Sequence, residues 1–155
     1  MPVSIGVASL TQAEELVEVP NDVRDLLAGF PNGSLTVVLR ARAALDSRLG
    51  SDRVAVRIVA HPSAKRLLEA TGPLTATSAN RSGEAPVTDC EEAARLLSGD
   101  GEAIEYVSGT CPGGSPSTLI AWYSVCDSTE SSDIEVLREG VISEREVRSW
   151  LTRRI

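Results

Sequence analysis

The sequence is poor in the residues that metal centres, disulfide frameworks and membrane spans require. Its 155 residues include one histidine, His61, and three cysteines, Cys90, Cys111 and Cys126. The cysteines are too few and too widely spaced for a disulfide framework, and no pair has the spacing of zinc ligands. No apolar run approaches the roughly 20 residues of a membrane span, and the N-terminus lacks the pattern of a signal peptide. The composition therefore predicts a cytoplasmic protein that does not bind membranes.

Positive charge is also scarce. The net charge of −7 excludes a uniformly basic nucleic-acid-binding protein. Residues 84–139 carry two arginines against twelve acidic residues, whereas residues 1–83 carry nine basic and eight acidic residues. All basic residues except Lys65 are arginines, whose planar fork suits phosphate or carboxylate. The first half is thus compatible with a local anion site, although a GC-rich genome or a salt-loving source also explains the arginine bias.

Short apolar strands and amphipathic helices interleave along the chain, which has the length of a single domain over residues 1–155. Capping-box patterns begin at Ser9, Thr88 and Ser143 and mark the starts of helices. The strands Leu35–Leu39 and Val54–Ile58 follow each other without a helix, which favours a mixed sheet. Seven strands and one acidic loop are predicted, the strands at residues 3–7, 35–39, 54–58, 74–78, 104–107, 118–123 and 134–137, and the loop at 127–133.

Two polar loops follow or precede predicted strands. The loop Thr75–Gly83 carries Ser78 and Asn80, and its small side chains leave backbone N–H groups accessible to a phosphate. The loop Cys111–Thr118 has glycines that allow close approach of a ligand, and it offers the Ser117 hydroxyl at the start of a strand. Each loop is equally compatible with ordinary turn chemistry.

Two arginines stand at unusual places in the strand pattern. Arg57 lies inside the apolar run Val54–Ile58, where an unpaired charge is costly to bury. It therefore either pairs with an internal carboxylate or binds an anionic ligand. Arg138 ends the last strand before Gly140, a position also typical of a solvated turn.

Together these motifs resemble those of the YrdC-like domain, the threonylcarbamoyl-AMP synthase family. Four segments carry the resemblance in the family's order and with suitable gaps: Val54–Pro62, Thr77–Gly83, Cys111–Thr118 and Leu137–Gly140. The resemblance covers nearly the whole chain. It implies a three-layer α+β fold in which helices flank a twisted mixed β-sheet with a concave ligand cleft.

The resemblance also implies an activity. The family condenses L-threonine, bicarbonate and ATP into threonylcarbamoyl-adenylate and releases pyrophosphate, which makes it a nucleotidyltransferase with Mg²⁺ as an expected companion of ATP. A downstream tRNA threonylcarbamoyl transferase then moves the product's acyl group to tRNA, giving threonylcarbamoyladenosine. Such chemistry needs positioning and charge stabilisation more than a catalytic acid or base.

Six side chains receive roles through the resemblance, and none is expected to be a catalytic acid or base or a metal ligand. They are Thr36, Ser78, Asn80 and Arg138 for ATP, and Arg57 and Ser117 for threonine.

The chain departs from the family pattern in three places. The family begins earlier and has a Lys-x-Arg motif before the segment that resembles Met1–Ser4. The segment Phe30–Thr36 differs from the family's Pro-Gly-Pro-Leu-Thr, and Ile120–Ala121 lacks a following acidic residue. We therefore expect the domain to be N-terminally incomplete, nearly inactive as a synthase by itself, and prone to form a homodimer through an uncovered sheet edge.

Two other readings remain open from the sequence. A non-catalytic YrdC-like module that binds double-stranded RNA or tRNA, or regulates another protein, has the same motifs, but the acidic charge argues against phosphate-driven binding. The related carbamoyl-phosphate domain of hydrogenase maturation proteins normally belongs to a longer chain with zinc-finger cysteines.

Overall fold

A computed structural model describes residues 3–99, 103–124 and 133–153. These form two compact units, a sheet unit of Met1–Ala76 with Pro116–Ile155, and a loop unit of Thr77–Ser115. The strands are β1 (Ser4–Val7), β2 (Leu35–Arg40), β3 (Arg53–Ile58), β4 (Leu74–Ala76), β5 (Thr118–Trp122) and β6 (Ile134–Arg138). The helices are α1 (Leu10–Glu14), α2 (Asn21–Gly29), α3 (Pro62–Thr71), α4 (Cys90–Leu97) and α5 (Glu144–Thr152), with a short 3₁₀ turn at Ser47–Leu49.

The six strands form one mixed sheet in the order β4-β1-β3-β2-β5-β6. The pairs β1–β3 and β2–β5 are parallel, and the other three pairs are antiparallel. β2 and β3 are antiparallel neighbours, as expected for consecutive strands that lack an intervening helix. The mixed sheet that the sequence predicts is therefore confirmed.

One face of the sheet carries the main hydrophobic core. Alternate residues of the strands point to opposite faces, so Val37 and Val56 enter the core while Thr36 and Arg57 face away from it. On the other face, Leu68 of α3 packs beside Gly6. Helices thus lie on both faces of the sheet. The core-facing side chains come from the strands and from α1, α2 and α5, and include Ile5, Val7, Ala13, Val23, Leu26, Leu35, Leu39, Val54, Ile120, Trp122, Ile134 and Val147.

Four of the described helices begin at side chains that accept a backbone N–H, and His61 is the one that caps α3. Ser9 caps α1 and Ser143 caps α5, as the capping-box patterns predict. The predicted box at Thr88 is wrong by one residue, because Asp89 is the residue whose side chain accepts the N–H of Glu92. A carboxylate is a better acceptor there than the neighbouring hydroxyl.

Two other predictions change in the structure. The segment Ile104–Val107 is not a strand: its residues are exposed and none pairs with another strand of the described residues. Its apolar pattern is strand-like, but a strand needs a partner for its backbone groups. β4 ends at Ala76, two residues before the predicted end. The loop predicted at 127–133 lies outside the described residues except for Asp133. Within the described ranges, no helix is long and apolar enough to cross a membrane.

The start of α5 gives a stability prediction with a definite pH dependence. Ser143 and Glu146 form a complete capping box, and the hydrogen bonds from the Ser143 hydroxyl and N–H lower the pKa of Glu146 from its ordinary 4.5. A carboxyl whose pKa falls on folding stabilises the fold above its unfolded pKa and loses that contribution as the pH falls through the folded value. Ser143→Ala should destabilise the protein by about 1 kcal/mol at neutral pH. The difference from the unchanged protein should narrow as the pH falls below about 4.

Urea denaturation at neutral and acidic pH measures this difference. Ser149→Ala on the same helix is the matched control, because its exposed side chain has no capping role. A Ser143→Ala effect that stays constant across this pH range would contradict the assigned role of Glu146.

Candidate functional site

A β-bulge in the β5–β6 pair determines where Arg138 points. Ile120 pairs with Val136, but the next residue, Leu119, pairs with Arg138, so Leu137 has no partner of its own. In a regular ladder Arg138 would share the face of Val136, because side chains alternate with a period of two. The extra residue reverses this and places Arg138 on the face of Leu119.

The same face carries a row of residues across four adjacent strands. Thr36 pairs with Leu119, and Leu119 pairs with Arg138. Because Val37 pairs with Val56, the next step of that register sets Thr36 beside Arg57. Neighbouring strands lie about 4.8 Å apart, so the row has an arginine at each end, with Thr36 beside Arg57 and Leu119 beside Arg138.

Arg57 has an incomplete set of partners. Its side chain is half-buried, and its Nε is buried without a hydrogen-bond acceptor. Burial, and to a smaller extent the positive charge of Arg138, lower the pKa of Arg57. No carboxylate within the described ranges forms an ion pair with it. Of the two alternatives that the sequence leaves open, the geometry favours an arginine that binds an anion from outside the protein.

Two buried hydroxyl groups lie between the arginines. The Oγ1 of Thr36 and the Oγ of Ser117 are 2.7 Å apart, and both side chains are about 5% exposed or less. One hydroxyl donates its hydrogen to the other, which leaves one hydrogen free for another acceptor. The structure thus brings together two residues that the sequence assigns to different ligands.

The turn after β6 is fixed against the start of β5 by a buried hydroxyl. The Oγ1 of Thr118, fully buried, accepts the N–H groups of Gly140 (3.0 Å) and Ile142 (3.1 Å) and donates to the carbonyl of Ile142. Arg138, at the end of β6, donates from Nη2 to the carbonyl oxygen of Ser117 (2.9 Å). These contacts hold the guanidinium of Arg138 against the backbone of Ser117.

The other two predicted site residues belong to the loop unit. Ser78 is exposed. Asn80 closes its own loop, because its Nδ2 donates to the carbonyls of Arg81 (3.0 Å) and Glu84 (2.7 Å). Its Oδ1 is buried without a partner. The amide group of Asn80 therefore shapes the polar loop and keeps one acceptor unused.

Sequence reasoning missed three features that build this site. Thr118 looks like an ordinary strand residue, Leu137 gives no sign of a bulge, and Gly140 looks like a simple turn glycine. A Cβ built on Gly140 would lie 2.1 Å from the carbonyl oxygen of Pro116 and 2.6 Å from the carbonyl carbon of Ser117. The Leu137–Gly140 motif is the available signal, since a glycine two residues after a candidate site arginine indicates a close approach of two backbones.

Comparison with known proteins identifies the family of this chain and its fold. A family model for the Sua5, YciO and YrdC proteins, described as telomere recombination, matches residues 1–140. The chain therefore belongs to the Sua5/YciO/YrdC family, and the predicted resemblance is confirmed.

Individual relatives give more detail. A Mycobacterium tuberculosis protein provisionally assigned as threonylcarbamoyl-AMP synthase is 34% identical over 154 residues, which are 97% of this chain and 67% of that protein. The threonylcarbamoyl-AMP synthase of Bacillus subtilis is 33% identical over 96% of this chain, but the match spans only 42% of the Bacillus protein.

Solved structures show the same relationship. Sua5 of Pyrococcus abyssi, crystallised with L-threonine, superposes with a TM-score of 0.76 at 33% identity, over 96% of this chain and 42% of that protein. Escherichia coli YciO superposes with a TM-score of 0.71 at 22% identity, over 94% of this chain and 68% of that protein, and this likeness concerns the fold alone. The α+β fold predicted from the sequence is thus confirmed.

The close approach at Gly140 gives a stability prediction. The φ of Gly140 is not positive, so an alanine there meets a steric clash with backbone atoms rather than a forbidden conformation. Gly140→Ala should destabilise the protein by about 1–3 kcal/mol, the usual cost of overpacking. Gly99→Ala is the matched control, because nothing lies within 4 Å of a Cβ at that position; its effect should stay within about 0.5 kcal/mol.

Thermal and urea denaturation of both variants measure the two effects. Equal stability of Gly140→Ala and Gly99→Ala would show that the turn after β6 does not pack against the start of β5.

Proposed function

We propose that this chain carries the ligand-binding face of a threonylcarbamoyl-AMP synthase, which condenses L-threonine, bicarbonate and ATP. The observation that supports the proposal is the row of Arg57, Thr36 and Arg138, with Ser117 bonded to Thr36. Two cations beside buried hydroxyls suit a carboxylate and a phosphate. The chain spans 42% of the length of the Bacillus relative and 67% of the Mycobacterium relative, so the activity of the whole protein forms part of the proposal.

Arg57 is the proposed partner of the threonine carboxylate. The Arg57 side chain is half-buried, and its Nε lacks a hydrogen-bond acceptor. The positive charge of Arg138 also disfavours the charged form of Arg57. A bound carboxylate would satisfy the free N–H and offset the repulsion between the two arginines. Arginine and carboxylate also form two parallel hydrogen bonds, which fixes the orientation of the ligand as well as its charge.

Arg138 is the proposed partner of the nucleotide phosphates. Its exposed side chain is fixed through one bond to the carbonyl of Ser117, which leaves other N–H groups of the guanidinium available. A cation held in place before the ligand arrives stabilises developing negative charge without reorganising. Release of pyrophosphate requires such stabilisation at the phosphates.

The Thr36–Ser117 hydroxyl pair is the proposed junction of the two substrates. Ser117 was assigned to threonine and Thr36 to the nucleotide, and their oxygens are 2.7 Å apart. The condensation joins the carbamate of threonine to the α-phosphate of ATP, so the two ligands must meet. The one free hydroxyl hydrogen of the pair would orient an oxygen at that point.

Magnesium would accompany the triphosphate. The side chains of this face are cations and hydroxyls, so they fit phosphate oxygens and leave a divalent cation to be held mainly by the nucleotide. Mg²⁺ would neutralise phosphate charge there. The ATP-binding roles that the resemblance implies for Ser78 and Asn80 stay predictions; Ser78 is exposed, and the Oδ1 of Asn80 lacks a hydrogen-bond partner.

The proposed product defines the next reaction. Threonylcarbamoyl-adenylate is an activated acyl group, so a transferase must move it to an adenosine of tRNA. The chain would therefore take part in tRNA modification, with RNA as the final acceptor of its product.

Replacing Arg57 tests the proposal. Arg57→Lys keeps the charge but loses the planar fork, so threonine binding to the 155-residue chain should weaken by ~1–3 kcal/mol. ATP binding and thermal stability should change little, because no carboxylate of the protein loses its partner. Isothermal titration with threonine and with ATP, combined with thermal denaturation, measures all three.

Arg53→Lys is the matched control. Arg53 lies on the same strand and face, but it donates to the carbonyl of Trp122 and stacks over Tyr123. Its replacement should leave threonine affinity unchanged. Unchanged threonine affinity in Arg57→Lys together with a sharp fall in melting temperature would show that Arg57 is a structural residue, and a lack of threonine binding by the unchanged chain would also contradict the proposal.

A further inference from the structure

Two cysteines of the loop unit lie side by side. The sulfur atoms of Cys90 and Cys111 are 3.9 Å apart although the residues are 21 positions apart in sequence. Both are free thiols; Cys90 is half-buried at the start of α4, and Cys111 is exposed. The polar loop that resembles the family's motif begins at Cys111, and the proposed binding roles use neither sulfur.

Backbone pairing brings the two cysteine-bearing segments side by side, with the cysteines at diagonal positions around one bridge. Asp89 and Thr110 form an isolated antiparallel bridge. Cys90 follows Asp89 and Cys111 follows Thr110, and each cysteine donates its N–H to a carbonyl of the opposite segment, at 3.0 and 2.8 Å. Because side chains alternate along extended backbone, the two cysteines leave on the same face of this bridge. The proximity of the sulfurs therefore follows from backbone pairing and not from two side-chain rotamers alone.

We propose that Cys90 and Cys111 form a reversible dithiol–disulfide pair that staples the loop at 109–115 to the start of α4. A disulfide requires the sulfurs to approach to roughly 2 Å. Side-chain rotation and small movement of the exposed segment at Cys111 would close the remaining gap.

The oxidant would be a low-molecular-weight disulfide such as oxidised glutathione. The thiolate of Cys111, the more exposed residue, attacks one sulfur of the oxidant and expels a thiolate, which leaves a mixed disulfide on Cys111. Cys90 then loses its proton to water and attacks the sulfur of Cys111, which expels the second small thiol. In total, two protein thiols are oxidised and one small disulfide is reduced to two thiols.

The surroundings of Cys90 support an order in which Cys111 attacks the oxidant first and Cys90 then resolves the mixed disulfide. Burial, followed by the hydrogen bond with Cys111, raises the pKa of Cys90. Cys90 thus remains protonated longer and suits the resolving role. The attack on Cys111 is then intramolecular, over a distance that the backbone bridge already sets.

The staple would act on a segment with unusual backbone freedom. Gly113 and Gly114 follow Cys111 closely and have φ values of 69° and 99°, which L residues rarely adopt. Cross-linking Cys111 to Cys90 closes a loop and limits the local opening of this segment. Amide exchange at 109–115 should therefore slow about tenfold or more on oxidation.

The test oxidises the 155-residue chain with oxidised glutathione and follows it by intact mass and non-reducing peptide mapping. We expect a loss of two mass units per chain without retained glutathione, a cross-linked peptide pair that contains Cys90 and Cys111, and full reversal by dithiothreitol. Cys111→Ser should leave no internal cross-link, and Cys90→Ser should stop at the mixed disulfide on Cys111.

Cys126→Ser is the matched control, because it removes the third thiol, which lies outside the described residues, and should leave the cross-link intact. Stable glutathione adducts on Cys90 or Cys111 of the unchanged chain, a cross-link to Cys126, or only intermolecular dimers would each overturn the proposal. An internal cross-link with unchanged amide exchange at 109–115 would overturn the stapling effect. None of these measurements depends on threonine or ATP, so they are independent of the proposed synthase function.

Discussion

The β-bulge at Leu137 is the constraint on which the candidate site depends. It adds one residue to β6, and this reverses the direction of Arg138. Without it, the guanidinium would enter the apolar side of the sheet together with Val136. That side contains the hydrophobic core. A regular ladder would therefore bury the charge of Arg138 against the core and remove the guanidinium from the candidate site. The bulge therefore separates the charged face from the core at the end of β6.

The contacts around the bulge show how Thr118, Gly140 and Ser117 together position Arg138. The hydroxyl of Thr118 forms hydrogen bonds with three backbone groups of the turn after β6. Because Gly140 lacks a side chain, that turn can contact the backbone of Pro116 and Ser117. The same packing positions the carbonyl of Ser117, which accepts a hydrogen bond from Arg138. The arginine is thus positioned through backbone atoms, which makes its orientation less dependent on the neighbouring side chains.

The sequence predicted the type of most elements because their signals are local. The apolar runs of β2 and β3, the cap at Ser143 and the proline after His61 are each signals within a few residues. The strand predicted at 104–107 failed because its apolar pattern says nothing about whether a partner strand is present. The Thr36–Ser117 bond joins residues 81 positions apart, so only the folded register of β2 and β5 reveals it.

The partly buried charge of Arg57 is unfavourable in the free protein, and this is the argument for a binding role. An arginine in an apolar strand requires an anion, and the described part of the sheet unit pairs it with another cation instead of a carboxylate. A mutation to a neutral residue would relieve both burial and repulsion, so stability alone gives no reason for an arginine at this position. Under the proposed function, the ligand would supply the missing anion. Burial and the repulsion from Arg138 make the charge of Arg57 unfavourable in the free protein. Both would then favour binding, because a bound carboxylate would offset the burial and the repulsion together.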